Sequence, residues 1–229
     1  MTQYTAEQVQ QRYIEVMGEP LGRVYHRLWN DCSALHWKWA EFVTLYGTND
    51  ARIKLLNATA SGFFRIVQMS LFEDVLLNIC RLTDGEKSRG KPNLTICRLP
   101  GLIDPVIRDA VDMGVSIALT RSEFARDWRN RRIGHNDLAL ATEDGAAIPL
   151  APASRLAVSA AIKAIAKLLN VIEGHYCQSE VMYDALSHVS DAEGLLYVLR
   201  DGLEARDEYH RRLENGEVSP SEFLPHRPI

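Results

Sequence analysis

The chain has 229 residues, a formal net charge of −4, and 46% hydrophobic and 24% charged residues. That length suits one large domain or two small ones and is enough to bury a sizeable core, and the ordinary composition excludes low-complexity disorder over most of the chain. The negative balance excludes a general basic coat, so any contact with nucleic acid has to be a local patch.

In chain order, Thr5 with Gln8 forms a capping box. It predicts a short helix to about Met17, which Gly18-Glu19-Pro20 ends. A long helix is predicted from about Leu21 to Tyr46, with Val24, Leu28, Leu35, Trp39, Phe42 and Leu45 recurring at helical spacing. Gly47 to Asp50 reads as a turn in which Asn49 or Asp50 caps the next helix. That helix is expected over about Ala51 to Thr83, with Leu56, Phe63, Ile66, Val67, Ser70, Leu77 and Cys80 on or near one face. Glu73 and Asp74 fall in its middle, close to that face. A buried acid is costly unless paired, so these two either meet a basic partner or sit in solvent at the edge of the stripe.

Asp84 to Asn93 is a polar loop. Its Gly85-x-x-x-x-Gly90-Lys91 run has the outline of a phosphate loop, but Pro92 stands where Ser or Thr would hold Mg²⁺, and the run follows a helix instead of a strand. The loop is read as a solvated connector, with a basic loop beside a nucleic-acid groove as the alternative. Leu94 to Leu99 looks like a short helical turn closed by Pro100-Gly101. Asp104-Pro105 is a helix start, and a fourth long helix is expected to about Ile133, with a bend near Gly114 or Thr120 and an end at Gly134. Leu138 to Pro149 reads as loop, with a small hairpin as the alternative. Pro152 opens an Ala-rich helix to about Tyr176, where Ala160, Ala164, Leu168 and Ile172 make a stripe that allows close helix approach. Ser190 with Glu193 is a second capping box, and the last helix reaches about Leu213 with Gly216 just beyond.

From Asp184 to Glu217 there are nine acids against four arginines, a net of −5. That is a solvated face or, alternatively, a charge match to a basic cluster on a neighbour. No convincing strand pair and no internal repeat appear. The expected fold is all-α: an antiparallel helical bundle of about five main helices plus short ones. It forms one domain over residues 1–217, and Pro220, Pro225 and Pro228 mark 218–229 as a Pro-rich C-terminal tail.

The four cysteines, Cys32, Cys80, Cys97 and Cys177, show no paired spacing. Cys32 with His36, or His175 with Cys177, could join a metal site, but no four ligands converge in sequence, so they are read as reduced structural thiols and no metal or cofactor is expected. The start is polar and carries no signal-peptide pattern. Leu156–Ile172 is interrupted by Lys163 and Lys167 and reads as an amphipathic helix instead of a membrane span. The expected location is the cytoplasm.

The chemistry concentrates in Trp128-Arg-Asn-Arg-Arg-Ile-Gly-His-Asn-Asp137. Arginine grips phosphate with a rigid fork of donors, and histidine moves protons near neutral pH. Cutting RNA without a metal requires a proton taken from the 2′-hydroxyl, a proton given to the leaving 5′-oxygen, and a hold on the phosphorane charge. His135 can do the proton work, Arg129 can grip the phosphate, and Asn130 can orient the phosphate or the histidine. Residues 121–135 carry Arg121, Arg126, Arg129, Arg131 and Arg132 against Glu123 and Asp127, a local +3 that suits a polyanion. Arg129 and His135 are six residues apart, about 240° around a straight helix, so the break at Gly134 has to redirect the histidine. The plainer reading is that basic residues complement the negative end of a helix and Gly-His is its exit.

Arg129-Asn130-x-x-x-x-His135 resembles the R-polar-x-x-x-x-H signature of the HEPN superfamily (higher eukaryote and prokaryote nucleotide-binding domains). Ile79-Cys-Arg-Leu-Thr-Asp84, the polar loop, Asn93-Leu-Thr-Ile96 and the Arg129–Asp137 stretch resemble, in that order, the abortive-infection branch of that superfamily, over roughly residues 20–180. The resemblance implies a HEPN-like all-α fold, a homodimer whose two motifs line one cleft, and metal-independent endoribonuclease activity in a phage-defence or toxin setting. Arg129, Asn130 and His135 would then be catalytic, with Arg126, Arg131 and Arg132 binding RNA and Glu73, Asp74, Arg81 and Asp84 in support. A nucleotidyltransferase-like antitoxin is the implied protein partner. The alternative is a HEPN-like module without catalysis that binds RNA, nucleotide or protein.

Overall fold

The computed structural model describes residues 5–47, 49–142, 145, 147–185 and 191–219. The chain divides into two compact units, Met1–Ala40 with Met69–Ser187, and Glu41–Gln68 with His188–Ile229. Helices build both, so the fold is all-α.

The first unit opens with α1 (Ala6–Met17), where the Thr5 side chain accepts from Gln8 N and the Gln8 side chain answers the Thr5 N–H. Gly18 breaks the helix with φ +82°, and α2 (Glu19–Tyr46) starts at once. Leu21, Tyr25, Leu28, Cys32 and Leu35 follow one another every three or four residues on α2 and are all buried. α3 (Asp50–Thr83) contributes Val75, Leu76, Ile79 and Cys80 to this core. After it come a two-residue hairpin, β1 (Lys87–Ser88) against β2 (Lys91–Pro92), and two 3₁₀ turns at Ile96–Gly101 and Pro105–Ile107. α4 (Arg108–Arg121) packs on α7 (Arg155–Cys177). Gly114 permits that approach, since a Cβ there would lie 2.8 Å from Leu168 Cδ1. Between them lie α5 (Glu123–Trp128), a π-helical turn at Arg129–Ile133 and the short α6 (Leu138–Ala141).

The second unit has its own small core of Leu45, Leu56, Phe64, Ala192 and Leu196. Its last helix, α8 (Ala192–Glu214), is tied to α2 by Glu41, which accepts from Ala192 N at 2.7 Å. Among the described residues no helix is long and apolar enough to cross a membrane.

Several expectations change. The single apolar face on α3 fails because Ala60 leaves helical geometry (φ −159°, ψ 73°) and resets the phase. Phe64 is buried there, while Phe63 and Ile66 are 61% and 65% exposed. The fourth long helix is not continuous. It breaks at Ser122, beyond both expected bends, where φ −100° and ψ 1° leave the helix and the Ser122 hydroxyl bonds back to the Ala118 carbonyl at 2.7 Å. The polar loop holds a hairpin because Arg89 and Gly90 both take positive φ (48° and 78°), the geometry of a tight two-residue turn. Leu138–Ala141 is helical because the Asp137 carboxylate caps Leu140 N at 3.2 Å. Asp191, not Ser190, caps α8, accepting from Glu193 N at 3.0 Å. Ser190, Pro220, Pro225 and Pro228 lie outside the described residues. α7 begins at Arg155 under a Ser154 cap, not at Pro152.

His36 links this packing to pH. It is buried, with Nδ1 3.2 Å from Asp184 Oδ1 and its ring stacked on Tyr183 at 5.1 Å. Burial lowers its pKa below the ordinary 6.5, opposed by Asp184 and aided slightly by Lys163. The unfolded chain therefore binds the proton first, so this contribution to stability is whole above about pH 6.5 and declines as pH falls below it. Melting temperature is expected to drop between pH 7.5 and pH 5, less steeply in His36→Gln. Some slope persists, because burial also lowers the pKa of His26. Parallel curves for the two proteins would contradict this account.

Candidate active site at the arginine–histidine turn

The turn is held from three sides, all within the first unit. Thr95 is buried and donates to the carbonyls of Leu82 (3.0 Å) and Asp84 (2.6 Å), which fixes the end of α3. Arg126 ties α5 to that end, donating to the Thr83 carbonyl and hydroxyl at 3.3 and 3.1 Å and to the Leu119 carbonyl at 2.5 Å. On the far side the Trp128 indole N–H donates to the Ala151 carbonyl at 2.8 Å, and Asp127 accepts from Ala151 N at 2.8 Å. The Trp128 ring meets Phe72 edge to face at 5.5 Å.

From this frame the chain widens into the π-helical turn, in which Gly134 N bonds the Arg129 carbonyl at 2.7 Å, five residues back. Isolated turns of this kind occur often at functional sites. Gly134 has an ordinary negative φ of −85°, so its role here is not left-handed backbone. A Cβ would sit 3.0 Å from that carbonyl, and glycine permits the close return. His135 follows in the bend, exposed.

Arg129 Nη1 donates to both oxygens of Asp84, at 2.6 and 2.8 Å, and Nε donates to Asn130 Oδ1 at 3.1 Å. Its Nη2 makes no hydrogen bond among the described residues. Asn130, read in the sequence as able to orient the phosphate or the histidine, accepts the Arg129 Nε–H through its Oδ1. Beneath them the Cys80 thiol is buried, and desolvation pushes it up to about 11 despite the nearby Arg129 and Arg126 charges, so it stays neutral at physiological pH.

The other candidate residues divide clearly. Arg131 is absorbed into the fold, bridging Asp127 (3.3 Å) and Asp137 (3.4 Å) and donating to the Ile148 carbonyl at 2.5 Å. The capping bond from Leu140 N, helped by Arg131, holds the Asp137 carboxyl below its usual range. Arg132 and Arg81 are exposed and make no ion pair among the described residues. Asp74 pairs with Lys38 of α2 at 2.6 Å, a partner that sequence reading did not name. Glu73 is half-buried, and neither acid pairs with the arginine turn. His135 makes no hydrogen bond among the described residues, to Arg129 or to any other group. Among the described residues no group of three or more His, Cys, Asp or Glu is placed to hold a metal ion.

Asp84→Ala is expected to cost about 1 kcal/mol, because the pair is partly solvated, with side chains 28% and 31% exposed. Urea denaturation checks this, and an unchanged midpoint would show that Arg129 is equally content in water.

The family model HEPN_AbiU2, described as AbiU2, matches residues 18–195. Comparison with curated proteins and with solved structures finds no match.

Proposed function

The chain belongs to the AbiU2 family of HEPN domains, an abortive-infection family, and from that premise we propose that it is a metal-independent endoribonuclease acting through Arg129 and His135. The observation that carries this reading is Arg129: Asp84 and Asn130 hold it while its Nη2 stays open, one bend away from an exposed His135. A pinned guanidinium with an open donor can receive a non-bridging phosphate oxygen without losing its orientation.

The reaction is an internal displacement. The 2′-oxygen loses its proton and bonds to phosphorus, the 5′-oxygen leaves and takes a proton, and the products carry a 2′,3′-cyclic phosphate and a 5′-hydroxyl. His135 moves a proton and Arg129 holds the phosphorane charge. Two protons move on opposite sides of the phosphorus, so a homodimer with two turns facing one cleft supplies one histidine for each. Arg132 is the second phosphate contact in this scheme, whereas Arg126 and Arg131 hold the turn in shape. A nucleotidyltransferase-like antitoxin remains the proposed protein partner, and the cytoplasm the proposed location.

The second reading is an RNA-binding module without catalysis. It is favoured by the net charge of −4 and by the two arginines already spent inside the fold. The deciding experiment is RNA cleavage by purified protein in EDTA, wild type beside His135→Ala, with product ends analysed. Cleavage that persists in EDTA, leaves a cyclic phosphate and needs His135 supports the nuclease. Saturable binding with no product supports the module.

A further inference from the structure

The hairpin of β1 and β2 carries Lys87, Arg89 and Lys91 against one acid, Glu86, a net of +2 on a chain whose total is −4. All three cations are exposed, and their side chains make no hydrogen bond or ion pair among the described residues. No part of the fold holds their charges, whereas Arg126, Arg129 and Arg131 are tied down. Arg89 also carries backbone strain. Its φ of +48° lies in the left-handed region, and Gly90 follows at +78°. A tight turn with positive φ at both central residues favours Asn-Gly, Asp-Gly or Gly-Gly, and arginine is uncommon there. Gln178, the other non-glycine with positive φ among the described residues, ends α7, where that geometry is a usual cap. Arg89 occupies a place in which asparagine or glycine would be at ease. Strain at an exposed side chain that the fold does not use points to a role in binding.

The hairpin stands beside the arginine–histidine turn. Asp84, which receives Arg129, is three residues before Lys87, so their Cα atoms lie within about 11 Å of one another. The base of the hairpin is pinned. Asn93 N donates to the Glu86 carbonyl and Asn93 Nδ2 to the Gly85 carbonyl, both at 2.8 Å, and Arg98 Nε donates to the Asn93 carbonyl at 2.7 Å. The cations are therefore presented on a fixed stem, which lowers the ordering cost of binding. Lys91 pairs with Ser88 and Lys87 with Pro92, which puts the two lysines on opposite faces of the hairpin with Arg89 at the tip between them. A strand crossing the tip meets all three.

We infer that this hairpin grips the RNA backbone next to the phosphate that Arg129 receives, with Lys87, Arg89 and Lys91 as its phosphate contacts. This role rests on the reading of the chain as a protein that acts on RNA. Backbone contacts position a strand without reading its bases, so oligouridylate and oligoadenylate are held alike. The test is fluorescence anisotropy with either labelled strand in EDTA, in the His135→Ala background so that bound RNA is not cut. Lys87→Gln/Arg89→Asn/Lys91→Gln is expected to weaken binding by about ten-fold or more at about 0.15 M salt, and to flatten the slope of log affinity against log salt by about 2, at about 0.7 per contact on a single strand. Arg12→Gln/Lys163→Gln/Lys167→Gln removes the same charge from α1 and α7 and is expected to weaken binding far less. Arg89→Asn alone is expected to lower affinity and to raise the urea midpoint, because it relaxes the turn. Unchanged affinity in the hairpin variants, an equal loss in the α1–α7 variant, or a lower urea midpoint in Arg89→Asn would overturn the hairpin and leave the nuclease standing. Absence of RNA binding by the parent protein would overturn both. Hairpin-dependent binding beside a wild type that cuts nothing would support the hairpin and remove only the nuclease.

Discussion

Replacing His135 with alanine is expected to lower RNA cleavage by about 10²–10⁴-fold, the usual contribution of a positioned general acid or base, while stability moves by no more than about 0.5 kcal/mol. The second half of this expectation follows from the structure. The side chain is exposed and makes no hydrogen bond among the described residues, so its removal leaves no cavity and no orphaned partner. The turn itself is held by other groups: Gly134 N on the Arg129 carbonyl, Arg131 between Asp127 and Asp137, and Trp128 on Ala151. Loss of cleavage at an unchanged melting temperature would therefore report chemistry and not folding. Single-turnover cleavage beside thermal denaturation measures both quantities. A variant that cleaves at the wild-type rate would remove His135 from the mechanism and favour the binding module.

Gly22→Ala is expected to destabilise the first unit by about 3 kcal/mol, the upper end of ordinary overpacking costs. A Cβ on Gly22 would lie 2.6 Å from Ile14 Cα, Ile14 N and the Tyr13 carbonyl oxygen. These are backbone atoms of α1, so no rotamer change relieves the clash and the helix has to move away. Tyr13 and Met17, both buried on α1, would lose packing with it. Gly62→Ala is the matched control. It lies within a helix with nothing within 4 Å of its Cβ position, so alanine is expected to be neutral or to add up to about 1 kcal/mol from helix propensity. Chemical denaturation of both variants checks the contrast, and equal stability of the two would show that α1 yields at little cost.

The local signals in the sequence were sufficient for what depends on neighbours in the chain. Apolar spacing on α2 and α7, the Thr5–Gln8 capping box and the Asp104-Pro105 start each involve residues within a turn or two, where helix geometry alone decides who meets whom. The Arg129-Asn130 and His135 motif, with Asp84 in support, was named through its resemblance to a family and not through helix geometry. What the tertiary structure decided lies across long sequence separations or in small departures from ideal backbone. Asp84 reaches Arg129 across 45 positions, and Glu173 reaches Tyr25 across 148. Of five arginines that look alike in sequence, packing buries the donors of Arg126 and Arg131 in the fold and leaves Arg132 exposed. The breaks at Ala60 and Ser122 and the π turn at Arg129 carry no strong sequence signal, because alanine, serine and arginine are all acceptable in helices. At Ser122 the hydroxyl bonds back to the Ala118 carbonyl, whereas the π turn follows a segment that Arg126, Asp127 and Trp128 anchor to Thr83 and Ala151, 23 to 43 positions away, and such contacts exist only once the chain has folded.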